Sequence, residues 1–179
     1  MFRRRRKESI QQQAISYLEC PAKTYEDEQG VKRLGRTILE HSCIVGSIAR
    51  ELIKRSAVSH LFPSGSALTA ASHDVGKISP TFYNLLHHHC QLPLYPGFSF
   101  ELERNWGGHP GVSMVAVKAM QAPLYVPEIL GQHHGFLPNV GHYKADDNVF
   151  GGQLWQEERI KLVKKLKDYF QEDWPKIEN

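Results

Sequence analysis

Ten histidines occur in 179 residues. Five of them, His41, His73, His109, His133 and His134, fall on apolar faces or at the ends of expected helices. A single histidine in such a place is more often a satisfied core residue than a ligand. Five of them beside Asp74 change that reading, because a buried imidazole needs partners for both ring nitrogens. So many rings cannot satisfy one another without a shared centre. The fold must therefore gather residue 41, the pair His73-Asp74, residue 109 and the pair His133-His134. A metal supplies such a centre, and neutral imidazole with carboxylate suits Fe, Mn, Co, Ni or Zn. Neighbouring helical residues diverge by about 100°, so each pair can serve one centre, or straddle two, only from a helix end. The set is too large for one tetrahedral ion. An Asp74 carboxylate bridging two ions about 3.5–4 Å apart would use all of it.

The remaining pattern is helical. From Thr37 to Arg55, His41, Val45, Ile48 and Leu52 recur on one face, which predicts a buried stripe. After Pro63-Ser64-Gly65, Ser66 is expected to cap a helix that runs to His73 and Asp74, with Gly76 as a left-handed stop. Ser79-Pro80 reads as N-cap and first turn of another helix, with Phe82, Leu85, Leu86 and His89 on its apolar side. Residues 91–108 predict a loop. Pro110 opens a helix carrying Val112, Val115 and Ala119, with His109 at its edge, and a short helix from Val126 to His133 follows. Gly135, Pro138, Asn139 and Gly141 mark a second loop reaching about Gly152. The last helix, from Gln153 to Phe170, has Trp155, Leu162, Leu166 and Phe170 on one side. No strand alternation is long enough to count, so the expected fold is all-α: one helical-bundle domain with long loops over residues 1–179.

The other histidines read differently. His87, His88 and His89 are consecutive and cannot all face one way, which favours packing or solvated roles. His142 lies in a Gly/Asn loop and carries no ligand assignment. Lys77 follows the glycine beside Asp74, where an ammonium could meet a phosphate oxygen or simply face solvent.

Composition narrows the class. With 41% hydrophobic and 23% charged residues the chain is a globular protein rather than a disordered one. No apolar run reaches the roughly 18 residues of a membrane span, and no apolar signal region follows the basic start. Cys20, Cys43 and Cys90 are widely spaced and odd in number, which argues for a reducing compartment and against a zinc ribbon. The formal charge of +3 is owed to Arg3, Arg4, Arg5, Arg6 and Lys7. The body without them is slightly acidic, so it is no platform that binds nucleic acid by charge alone.

His41, then "HDVGK" from His73, "HP" at His109 and "HHG" at His133 resemble the HD superfamily of metal-dependent phosphohydrolases. Within it, "LTAASHDVGKISPTFYNLL", "GGHPGVSMVAV" and "ILGQHHGFLP" look most like the HD nuclease domain of the CRISPR-associated type I helicase-nuclease. The similarity covers roughly residues 37–140. It implies two divalent ions (Fe, Mn, Co, Ni or Mg), one held by His41, His73 and Asp74, the other by His109, His133 and His134, with Asp74 bridging. The implied chemistry is hydrolysis of phosphodiester bonds in single-stranded DNA, with Asp74 and Lys77 in catalytic roles. The implied partners are a helicase domain or subunit and the type I surveillance complex, in a prokaryotic cytoplasm with no membrane association.

The family normally completes its first site with a later Asp, commonly before Trp. Here the one such pair is Asp173-Trp174, followed at once by Pro175. Proline continues a helix poorly, so the role is not carried onto Asp173. The expectation is a domain that stops short of the family's last helix or helices and of any following helicase. Two other readings fit the same residues. A phosphohydrolase acting on nucleotides or cyclic dinucleotides is one, although "HHGFLPN" lacks the Gly-Tyr-Pro expected of the cyclic-dinucleotide branch. A catalytically incomplete metal-binding fragment is the other.

Overall fold

The computed structural model describes residues 13–104, 107–136 and 146–175. The basic cluster at residues 3–7, His142, the last two residues of "ILGQHHGFLP" and most of the second expected loop lie outside them.

Seven α-helices and one small hairpin make up the described chain. The hairpin pairs β1 (Thr24–Glu26) with β2 (Lys32–Leu34), Tyr25 facing Arg33. Asp27 closes its turn by accepting the Gln29 and Val31 backbone N–H groups. Strands of three residues are too short for alternation to show, which is why the sequence does not announce them. The all-α expectation holds for the body of the domain.

Helix α1 (Ile38–Arg55) starts where its sequence directs. Thr37 and Glu40 form a reciprocal capping box, each side chain taking the other's backbone N–H. Its buried face, however, is Ile38, Ser42 and Gly46 rather than the expected His41 stripe. Gly46 explains the difference: a Cβ there would lie 2.3 Å from the Phe170 ring and 2.7 Å from Ala71. Small residues let α1 approach α2 (Ser66–Ala71) and the last helix closely, and His41 is left at the edge of that contact. Ile48 and Leu52 are 56% and 65% exposed, and Leu52 lines an open apolar groove with Ile53, Phe62, Tyr125 and Ile129.

Helix α2 also departs from expectation. Gly65, at φ 82°, occupies its N-cap, while the Ser66 hydroxyl donates to Pro63 O at 2.7 Å. The helix ends at Ala71, so His73 and Asp74 sit in the turn beyond it, ahead of a 3-10 turn at Val75–Lys77. Gly76 does not adopt the left-handed conformation. Its value is space, since a Cβ would fall 2.0 Å from His109 O and 2.5 Å from Ser113 N.

Helix α3 (Pro80–His89) begins as predicted, with Ser79 Oγ accepting from Phe82 N at 3.3 Å and Pro80 in the first turn. Phe82 and Leu86 are buried, whereas His89 is exposed rather than on the apolar side. His87 stacks on Tyr83 and His88 on Phe100, in keeping with packing roles. The expected loop at 91–108 contains a 3-10 turn, Phe100–Arg104. Helix α4 (Gly108–Ala119) is buried on all sides from Pro110 to Val117 and forms the centre of the domain. Helix α5 (Tyr125–Gln132) packs on it, with Gly131 against Met114.

A short α6 (Asp147–Phe150) leads into α7 (Gly152–Phe170), whose Trp155, Leu162, Leu166 and Phe170 enter the main core. Arg159 on the same helix is fully buried. Its guanidinium donates to Ile78 O at 2.8 Å, to Gln156 Oε1 at 3.0 Å and to Phe150 O, and stacks on the Phe150 ring. Burial lowers its pKa to about 9. This arginine ties the end of the "HDVGKI" segment to α6 and α7. No helix among the described residues is long and apolar enough to cross a membrane.

Gly76→Ala is expected to lower stability by about 1–3 kcal/mol, through overpacking of the turn against α4. Urea denaturation of the variant checks this, and a wild-type midpoint would count against the close approach.

Candidate metal centre

Four separate segments deliver the expected ligand residues to one place. His41 comes from the second turn of α1, and His73 and Asp74 from the turn after α2. His109 lies in the first turn of α4, and His133 and His134 directly follow α5. Two groups result among the described residues: His41, His73 and Asp74, and His109, His133 and His134. Within each, the candidate ligand atoms lie within 4.8 Å of one another.

Asp74, 3% exposed, joins the groups. Its Oδ2 lies 3.1 Å from His41 Nε2, 3.0 Å from His73 Nε2 and 2.7 Å from Lys77 Nζ. Its Oδ1 lies 3.3 Å from His109 Nε2 and 3.4 Å from His133 Nε2. Burial works against the charged carboxylate, but the surrounding His109, His133, His41 and His73 rings outweigh it. They hold the carboxyl well below its usual range.

The ring orientations test whether this donor set fits a cation. His73 Nδ1 faces Ala70 O at 2.8 Å and His133 Nδ1 faces Leu130 O at 2.6 Å. A carbonyl can only accept, so each Nδ1 carries a proton, and in the singly protonated ring the Nε2 lone pair points at the Asp74 carboxylate. In that form lone pair would face lone pair, and the buried His133 Nε2 has no hydrogen-bond partner among the described residues. His134 Nε2 and His109 Nε2 lie 3.1 Å apart, close enough for one N–H to donate to the other or for both to face one ion. Divalent cations between these atoms would satisfy every one of them, so the residues fit metal.

Two further residues shape the site, and neither stands out in the sequence. Ser113 Oγ accepts from Gly76 N at 2.8 Å and donates to His73 O at 2.9 Å, clamping the ligand turn onto α4. Glu103 is buried beside His109. Ser113 lies within the "GGHPGVSMVAV" stretch, but only the fold brings it to Gly76 and His73, and Glu103 lies outside every such motif stretch. Asp173 belongs to neither group. Its carboxylate takes Lys167 at 2.6 Å, and its carbonyl lies by Gly65, at the opposite end of α2 from His73. Trp174 is anchored there through Nε1 to Thr69 Oγ1 at 3.0 Å.

Residues 22–179 match the family model described as "Cas3, HD domain". The chain belongs to the Cas3 HD domain family. A comparison with curated proteins gives no match. Among solved structures, a CRISPR-associated protein shares the fold at a TM-score of 0.60 and 19% identity, over 87% of this chain. The match spans 19% of that protein's length.

Protons should compete with metal here in a predictable direction. Burial pulls the His109 pKa down, but Asp74 and Glu103 outweigh it and raise it above the ordinary histidine value. His134 is lowered, by burial and by the neighbouring His133 and His109. His109 therefore stays protonated to a higher pH than a free imidazole, and must lose that proton to bind an ion. The expected result is Mn²⁺ affinity that rises between about pH 6 and about pH 8, measured by titration calorimetry. A flat profile would count against His109 as a ligand.

Proposed function

We propose that the chain is a metal-dependent nuclease that hydrolyses phosphodiester bonds of single-stranded DNA in CRISPR type I interference, an antiviral defence. The observation that carries this is the Asp74 carboxylate, with one oxygen toward each histidine group. That is the arrangement a bridging ligand between two ions requires. Family membership and the shared fold support the same reading.

Divalent ions held there, two in this proposal, supply Lewis acidity at a phosphoryl oxygen and make water nucleophilic near neutral pH. The chain's own residues do the rest. His41, His73, His109, His133 and His134 hold and orient the centre, and Asp74 spans it. Lys77 pins Asp74 Oδ2 and offers a positive charge to a phosphate oxygen. His134 is exposed, and a cleft lined by Phe82, Leu85, Arg104, His109, His134 and Phe136 opens on that side. An accessible centre suits a polymer strand better than an enclosed small molecule. The slightly acidic body is no obstacle, because bound ions reverse the local sign. A helicase domain or subunit, with the surveillance complex, would present the strand.

The test is cleavage of single-stranded DNA by the purified protein with Mg²⁺, Mn²⁺, Co²⁺ or Ni²⁺, alongside elemental analysis. Asp74→Ala and His73→Ala should each lower the rate at least about 10²-fold, with the circular dichroism spectrum retained. Protein that binds metal and hydrolyses nucleotides while leaving such DNA intact would overturn the reading.

A further inference from the structure

Glu103 is 7% exposed, on the 3-10 turn Phe100–Arg104. A buried carboxylate needs a specific partner to offset its lost hydration. Among the described residues, its hydrogen bond and its ion-pair contact are both with one residue. Oε1 accepts the His109 backbone N–H at 2.9 Å and lies 3.6 Å from His109 Nδ1. The backbone contact is a cap supplied from another segment, since the N-cap residue of α4 is Gly107 and has no side chain to offer.

The ring contact has a different meaning. His109 Nε2 faces the centre, toward Asp74 Oδ1 at 3.3 Å and His134 Nε2 at 3.1 Å. Only Nδ1 points outward. In His73 and His133 the outward Nδ1–H is taken by a carbonyl three residues earlier, at the C-terminal end of a helix. His109 stands in the first turn of its helix, where no preceding helical carbonyl exists. The Glu103 carboxylate is the acceptor group on that side, at 3.6 Å rather than the 2.6–2.8 Å of the carbonyls. The backbone is fitted to it: Gly108 has φ +63°, and a Cβ there would lie 3.2 Å from Glu103 Oε1.

We propose that Glu103 is a positioning residue of the metal centre. Its carboxylate takes the His109 Nδ1 proton side, so that the Nε2 lone pair is held on the ion and made a stronger donor. This rests on His109 being a ligand, as the proposed function requires.

Glu103→Gln separates this role from capping, because the amide oxygen still accepts the His109 N–H while the charge is gone. The expected result is Mn²⁺ affinity lowered by about tenfold or more in calorimetry, with the thermal midpoint of the metal-free protein close to wild type. Glu103→Asp, which keeps the charge, should recover part of that affinity. In a His109→Ala background Glu103→Gln should have no further effect, since the two act through one ligand. Wild-type Mn²⁺ affinity in Glu103→Gln would overturn the proposal, as would an effect that simply adds to that of His109→Ala, or a Glu103→Asp variant no better than Gln. His109→Ala that binds Mn²⁺ like wild type would instead remove the premise, and the ligand reading of the site with it.

Discussion

A buried carboxylate surrounded by imidazoles is the constraint around which this domain is organised. Asp74 loses nearly all contact with water, and its charge is offset directly by Lys77 and by whatever protons or cations sit between it and the four ring nitrogens around it. Those groups come from α1, the turn after α2, α4 and the end of α5. None of the four segments can shift without leaving charge uncompensated in the interior. The helices are thus held in register by the site as much as the site is held by the helices.

The supports behind Asp74 are polar contacts between rigid elements. Ser113 fastens the ligand turn to the most buried helix, and Arg159 fastens the residue after that turn to α7. Gly76 lets the turn come within contact of the α4 backbone. Each contact would cost a buried, unsatisfied group if its partner were lost. The candidate ligand residues, drawn from distant parts of the chain, are thus held in place by contacts between elements.

Much of this was legible from residue types alone. Five histidines on apolar faces or helix ends, beside an aspartate, demand a common centre whatever the fold. The cap at Ser79 and the apolar side of α7 mark a real helix boundary and real core. What stayed hidden depends on distance between segments. Periodicity ranked Ile48 and Leu52 as buried, but the choice of buried face was made by Gly46 meeting Phe170. Gly76 was read as a conformational signal when its role is steric. Glu103 lies outside the motif stretches and Ser113 inside one, but neither announces its role, because their partners are 6 and 40 residues away along the chain, in other elements.

The way the histidine rings are oriented bears on how the centre tolerates mutation. For His73 and His133 the acceptor is the main chain of Ala70 and Leu130. A carbonyl is present whichever side chain occupies those positions, so no single substitution there deletes it. At His109 the same duty falls to a side chain, which one nucleotide change can replace. Genetic fragility in this site is accordingly uneven, concentrated where a side chain stands in for backbone.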